Sequence, residues 1–295
     1  MSGLALLGLY AAATGWILPR ALAGARWAAR APRAAIATWA VLNVACAVTL
    51  AMALHRVATP AGHGPWPLRW PAGSVAAVSG GISPHGQALW LGVAVLTALA
   101  VLVGAGWAGA ARARRSHRDT LDLVARPDRA GGWWELPDDR PAAWCLPGRG
   151  GRVVLTRGAV RQLSPAHREA VLAHERAHLA GRHHLLTSGA AALGRALRWL
   201  PAARLAAVQV PLLVEMAADD AALRCCEPKV LAEALCTVAA GLAPRGTLGA
   251  GAHAVVARVQ RLLAPGGRLP ALVRGGWWAV VPLLPAVPVL LACGP

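Results

Sequence analysis

Long apolar runs alternate with short arginine-rich segments along this chain, and the runs set the first constraint on its fold. Four stretches approach the roughly 20 apolar residues needed to cross a bilayer: Met1 to Pro19, Ala34 to Leu54, Ala88 to Ala111 and Gly275 to Cys293. The first lacks a basic start and carries its charge after the apolar run, at Arg20, which predicts an uncleaved anchor rather than a removed signal. The last holds Pro282, Pro285 and Pro288 and is expected to be kinked. A fifth stretch, Leu185 to Leu213, is interrupted by Arg195, Arg198, Pro201 and Arg204. Charges of that kind are costly in a bilayer, so a pair of helices lying against the membrane or against the rest of the fold is expected there.

The remaining pattern is that of a small polar domain. Ala142 to Leu146 and Arg152 to Thr156 read as short strands around the Gly148-Arg149-Gly150-Gly151 turn, a β-hairpin. Ser164 followed by Pro165 predicts a helix start, the hydroxyl capping free amides and the proline fitting the first turn. Arg112 to Arg140 is polar, with Trp133 and Trp134 expected at the membrane interface. The fold class expected is mainly α: a polytopic membrane protein with a cytoplasmic α+β domain. The division is 1–111 for a region of three transmembrane helices, 112–274 for the cytoplasmic domain and 275–295 for a last transmembrane helix.

Composition agrees with that division. Hydrophobic residues make up 56% of the 295 and mean hydropathy is +0.47, too apolar for an ordinary soluble domain. Basic residues are retained in cytoplasmic loops. Arg20, Arg26, Arg30 and Arg33 follow the first run, and Arg112, Arg114, Arg115 and Arg118 follow the third. The N-terminus and the loop from His55 to Gln87 are therefore expected outside, and Arg112 to Arg274 inside, in a multi-pass protein of the cell membrane. A formal net charge of +17 raises the question of nucleic acid. No aromatic-interleaved basic motif is present, and a chain rich in Arg and Ala with one Lys (Lys229) and no Phe reflects compositional bias. No direct nucleic-acid partner is expected; anionic lipid of the bilayer is. The six cysteines show no C-x-x-C spacing and are expected as reduced thiols.

Chemistry is concentrated in His174-Glu175-Arg176-Ala177-His178. On a helix, two histidines four apart lie on one face and can share a metal ion, with Glu175 beside them as general base. A catalytic zinc keeps three protein ligands and a water. Two candidates compete for the third place. His184 completes H-E-x-x-H-x-x-G-x-x-H, with Gly181 bending the chain. Glu215 opens Glu215-Met216-Ala217-Ala218-Asp219-Asp220 after the apolar run Val210 to Val214, and it shares a helix face with Asp219.

Leu163-Ser164-Pro165 through His178, the later Glu215-x-x-x-Asp219 and the basic Arg258-Val259-Gln260-Arg261-Leu262-Leu263 together resemble the BlaR/MecR-type integral membrane zinc metallopeptidases. They also resemble the related HtpX-like and CAAX-prenyl protease families. The resemblance runs from about Pro141 to Leu263 and extends to the layout of spans. It implies a zincin-like (gluzincin) catalytic domain holding one Zn2+ with His174, His178 and Glu215. Asp219 is implied to support the site. For the oxyanion stabiliser, His253 and Arg258 are the nominated residues, since the sole tyrosine, Tyr10, lies in the first apolar run. A cytoplasmic protein substrate is implied, such as a winged-helix repressor. No penicillin-binding sensor domain follows in this sequence, so beta-lactam sensing is not carried over. Two further readings are a housekeeping membrane-protein protease and a non-catalytic zinc-binding receptor or scaffold; an intact Glu175 argues against the last.

The arginine clusters make the topology testable. Reporter fusions after Leu54 and Pro295 should be external, and fusions after Arg33 or within Arg118 to Pro141 cytoplasmic. A cytoplasmic signal after Leu54 overturns the orientation.

Overall fold

A computed structural model describes residues 3–58, 84–128, 131–148, 150–242, 250–264 and 271–293. Most of the loop expected outside, 59–83, lies beyond those residues. Helices α1 (Gly3–Ala12) and α2 (Leu18–Ala23) are joined by a π-helical turn, Ala13–Ile17. Pro19, which has no N–H to give the preceding turn, lies just after it. A short α3 (Arg26–Arg30) leads into α4 (Pro32–Ala58), and α5 (Pro84–Val124) follows. The expected span ends at Ala111, yet α5 runs on to Val124, unbroken over its 41 residues. The line drawn between domains at 111 and 112 therefore falls inside a helix, because Arg and Ala are good helix formers whatever their polarity.

Four strands follow: β1 (Arg126–Asp128), β2 (Trp133–Leu136), β3 (Ala143–Leu146) and β4 (Arg152–Thr156). Their order is β1-β2-β4-β3, with β2 and β4 parallel and the other pairs antiparallel. The β3–β4 hairpin is the one the sequence predicts, and its turn is closed by Gly151 N–H donating to Gly148 O at 3.1 Å. Trp133 and Trp134 both sit in β2. Trp133 is buried with Val153, Leu155 and Leu172. Trp134 lies under the Arg152 guanidinium, 4.3 Å from its ring centre.

The helical remainder comprises α6 (Arg157–Gln162), α7 (Pro165–Ala180), α8 (His183–Ala196), α9 (Pro201–Ala222), α10 (Pro228–Leu242), α11 (Ala250–Leu263), α12 (Ala271–Val280) and α13 (Val287–Cys293). Two layers result. The sheet packs on α7 and α10 around Leu155, Val171, Leu172 and Ala234. A second core, built on Trp39, Leu42, Val210, Val214 and Met216, joins α9 to α4 and to the α2–α3 segment.

Among the described residues, four helices are long and apolar enough to cross a membrane: Gly3–Ala23, Pro32–Val57, Gly92–Val124 and Pro201–Ala222. Three coincide with expected spans. Gly275 to Cys293 does not form one long helix; it divides into α12, a 3-10 stretch Val281–Ala286 and α13. Its three prolines remove N–H donors and break the α-helical ladder. This broken segment packs on α1 and α4, and Tyr10 Oη donates to Leu284 O at 2.6 Å.

The fourth apolar helix is α9, more than half of it buried inside the protein. With α8 it forms a hairpin wedged between α4 and α5. Small residues permit the close approach, as in membrane helix packing. A Cβ at Gly106 would come 2.6 Å from Ala192 Cβ, and one at Gly194 would come 2.5 Å from Ala207 Cβ. Gly194→Leu should therefore lower stability by about 1–3 kcal/mol through overpacking, as measured by denaturant unfolding in detergent. Gly8→Leu, where an added Cβ meets nothing within 4 Å, should leave it nearly unchanged.

Candidate metal centre

Helix α7 starts as the Ser164–Pro165 pair predicts: Ser164 Oγ accepts from His167 N–H at 3.2 Å. Ala170, Val171, Leu172 and His174 face inward. That fixes the rotation of the helix, so one turn later His178 and, beside it, Glu175 reach a cleft of about 370 Å³. The floor of the cleft is polar, formed by His174, Glu175, His178, Glu215 and Arg258. Its walls are Trp144, Val171, Leu235, Val238, Ala239 and Val255. From the other side α9 arrives through buried Val210, Leu213 and Val214 and delivers Glu215 and Asp219 on one face.

His174 Nε2 and His178 Nε2 lie 3.1 Å apart. Glu215 Oε2 is 3.4 Å from the first and Oε1 is 3.5 Å from the second. Among the described residues these three form the only group of His, Cys, Asp or Glu side chains gathered closely enough to hold a metal ion. Four ligands at about 2.0–2.1 Å around a tetrahedral zinc stand about 3.3–3.4 Å from one another, so the triangle has the size that zinc requires. His184, the rival third ligand, is not in the group.

The other nitrogen of each histidine also has a neighbour. His174 Nδ1 lies 3.0 Å from Asp219 Oδ1, a charge contact outside directed hydrogen-bond geometry. Asp219 is fully buried and paired with Arg258, whose Nε and Nη2 donate to its two oxygens at 2.9 and 2.6 Å. Arg258 Nη1 reaches Glu215 Oε2 at 2.9 Å, and its Nη2 lies 3.4 Å from His174 Nε2. His253 is on the same helix, α11, but its side chain lies outside the described residues.

For His178 the neighbour is His183, Nδ1 to Nδ1 at 3.0 Å, a residue the sequence pattern does not single out. The literal eleven-residue pattern points to His184 and to a bend at Gly181. In the structure Gly181 is still right-handed, and the left-handed residue is Arg182, φ 47°. That turn directs His183, not His184, beneath His178. Gly181 has a different use: an added Cβ would collide with the His183 ring. The imidazole pair His183–His184 next to a turn was the available signal.

Electrostatics follow from these contacts. Burial opposes a charge on His174, but the Asp219 and Glu215 carboxylates outweigh it and its pKa is pushed up to about 9. Burial works against the Glu215 and Asp219 carboxylates as well. His174, His178 and Arg258 nonetheless hold Glu215 well below the usual range, and Arg258 and His174 do the same for Asp219. His183 is pushed down to about 4, by burial and then by His178, so it is neutral at pH 7 and its Nδ1 can accept a hydrogen bond from His178 Nδ1–H. Burial and then the Glu175 carboxylate push up the Cys145 thiol, which keeps it protonated.

Residues 110–210 match the model of peptidase family M48. The match takes in His174, Glu175 and His178, ends before Glu215 and supports a metallopeptidase; it contains nothing particular to the BlaR/MecR type. No curated protein and no solved structure gives a significant match.

The raised pKa of His174 has a measurable sign. In chelator-treated protein the stabilisation from charged His174 is present below its ordinary value of 6.5 and is lost as pH rises through about 9. The Tm of the wild type minus that of His174→Gln should therefore fall over this interval. A difference that grows with pH contradicts the assigned contacts.

Proposed function

We propose that this protein is a membrane-embedded zinc-dependent endopeptidase acting on a cytoplasmic or membrane-associated protein. The observation that carries the reading is the triangle of His174 Nε2, His178 Nε2 and Glu215 Oε, whose edges match those of a tetrahedral zinc site. Bound there, zinc supplies a Lewis acid that polarises a peptide carbonyl and lowers the pKa of a water. Glu175, on the same cleft floor, takes the proton of that water and returns it to the leaving amine. Asp219 and His183 fix the ring orientation of the two histidines. Arg258 holds both carboxylates and is the cation on the cleft floor available to a developing oxyanion.

Strand β3 closes the sheet order and lines the cleft through Ala143, Trp144 and Cys145. Among the described residues its outer edge pairs with no strand, which favours an extended polypeptide held by backbone pairing. Four helices of membrane-crossing length and composition support the membrane location, and the arginine clusters support a cytoplasmic cleft. The BlaR/MecR resemblance adds the substrate class, a cytoplasmic repressor.

Three single variants test the site. Glu175→Gln should keep near-normal zinc and lose cleavage, because an amide cannot accept the water's proton. Glu215→Ala should lose both zinc and cleavage, and His184→Ala should keep its zinc. Zinc content by atomic absorption and cleavage of a casein-type substrate are the readouts. Zinc lost with His184→Ala but kept with Glu215→Ala refutes the ligand set, and cleavage retained by Glu175→Gln refutes the mechanism.

A further inference from the structure

The turn between α8 and α9 meets each neighbouring apolar helix far from that helix's ends. Leu200 packs against Gly15, near the middle of Gly3–Ala23. It also shares a core with Cys46, and Asn43 Nδ2 donates to Ala202 O at 3.4 Å; both partners lie near the middle of Pro32–Val57. On α5 the end of α8 meets Gly106, inside the apolar stretch that precedes Arg112. Three independent helices thus place the turn at one level inside their apolar stretches, with Arg20 beyond Gly15 and Arg112 beyond Gly106 as the next charges along the chain.

Large apolar side chains are exposed at that level, and exposed Arg20 reaches it too, donating to Trp16 O at 2.6 Å. Trp199 is 63% exposed beside exposed Trp16 and Ile17, with Val101 and Leu102 exposed on α5 and Val208 exposed on α9. Arg195, Arg198 and Arg204 surround the turn, all exposed. Among the described residues none of them forms an ion pair with a carboxylate. The hairpin's other end is the metal centre: α8 begins at His183, and α9 returns to Glu215.

Resting on the membrane reading above, we propose that α8 and α9 form a re-entrant hairpin that enters the bilayer from the face bearing the metal centre and turns back near mid-depth. Its outer surface contacts acyl chains, and its arginines hold lipid phosphates drawn inward around the turn. Side chains on a helix tilt toward its N-terminus, so Arg195 leans back toward the face from which α8 enters, as a snorkelling arginine does. Unpaired guanidinium groups at such depth are stable only when phosphate or water reaches them. The geometry also locates the chemistry. Glu215 lies about 22 Å along α9 from Leu200 at about 1.5 Å per residue. Half of a hydrocarbon core of about 30 Å is about 15 Å, so the metal centre falls at headgroup level. Its substrate is then a polypeptide segment close to the membrane surface.

The full chain, with its native cysteines replaced by alanine, would be reconstituted in phosphatidylcholine–phosphatidylglycerol vesicles with single cysteines at Trp199, Ile17, Leu102 or Arg115. Each cysteine carries an environment-sensitive fluorophore, and lipids spin-labelled at graded depths act as quenchers. Trp199→Cys should be quenched most by the deep acyl-chain label, as Ile17→Cys and Leu102→Cys are. It should also resist a membrane-impermeant maleimide from both sides, whereas Arg115→Cys reacts from one. Rapid labelling of Trp199→Cys from the Arg115 side makes the hairpin a surface element, and rapid labelling from the opposite side makes it a crossing; either overturns the proposal. If Ile17→Cys and Leu102→Cys also escape quenching, the membrane reading itself fails. Replacing Arg195, Arg198 and Arg204 with leucine should move the Trp199→Cys quenching maximum deeper, and an unchanged maximum removes the phosphate-holding role.

Discussion

A single buried ion pair organises the functional half of this protein. Asp219 has no solvent exposure and Arg258 very little, and each would be costly to bury alone. Removing one partner of such a pair costs about 3–5 kcal/mol, because it leaves an uncompensated charge. The pair is tied to two more groups: Asp219 touches His174, and Arg258 touches Glu215. Three helices distant in sequence, α7, α9 and α11, are therefore held in one register. Arg261 extends the arrangement. It pairs with Asp220 on α9 and donates to Ala29 O at 2.6 Å, joining α9 and α11 to the short segment between the first two apolar helices.

Charge accounts for the arrangement of the cleft. Two histidines, three acidic side chains and one arginine would repel or desolvate one another in most combinations, yet buried Asp219 and half-buried Glu215 each face both an arginine and a histidine. The cluster gathers the Nε2 atoms of His174 and His178 and the oxygens of Glu215, with Asp219 and His183 at the Nδ1 side of the two rings and Arg258 beside His174 Nε2 and Glu215. Polar groups in a low-dielectric setting reinforce one another when they are satisfied, and Arg258 meets that condition for Asp219, while His174 Nδ1 is held by charge alone.

Much of this was legible from residue patterns, and the exceptions have physical causes. The Ser164–Pro165 start and the four-residue spacing put His174 and His178 on one face of α7. The apolar approach to Glu215 marked α9 as buried with its acids turned inward. His183 was hidden because a pattern of spacings cannot reveal which residue takes a left-handed turn; Arg182 does, and the chain rotates accordingly. Strands β1 and β2 were missed because they are short, and Pro127 and Glu135 obscure their alternation. The continuation of α5 was obscured by arginine, whose polarity resembles a loop although its helix propensity is high. Gly275 to Cys293 has the composition of a span, but Pro282, Pro285 and Pro288 divide its backbone.

The length of α5 has a mechanical consequence. Its 41 residues make a rod of about 60 Å at about 1.5 Å per residue, with no flexible joint between the apolar half and the half beside the sheet. Along one side it carries α8, bound through Trp107 Nε1 donating to Leu185 O at 2.9 Å, and the first residue of α8 is the histidine beneath His178. A rod of that length acts as a lever: a tilt of about 5° about one end displaces the other by about 5 Å. At Trp107, about 35 Å along the rod from Pro84, the same tilt gives about 3 Å, close to one edge of the His174–His178–Glu215 triangle.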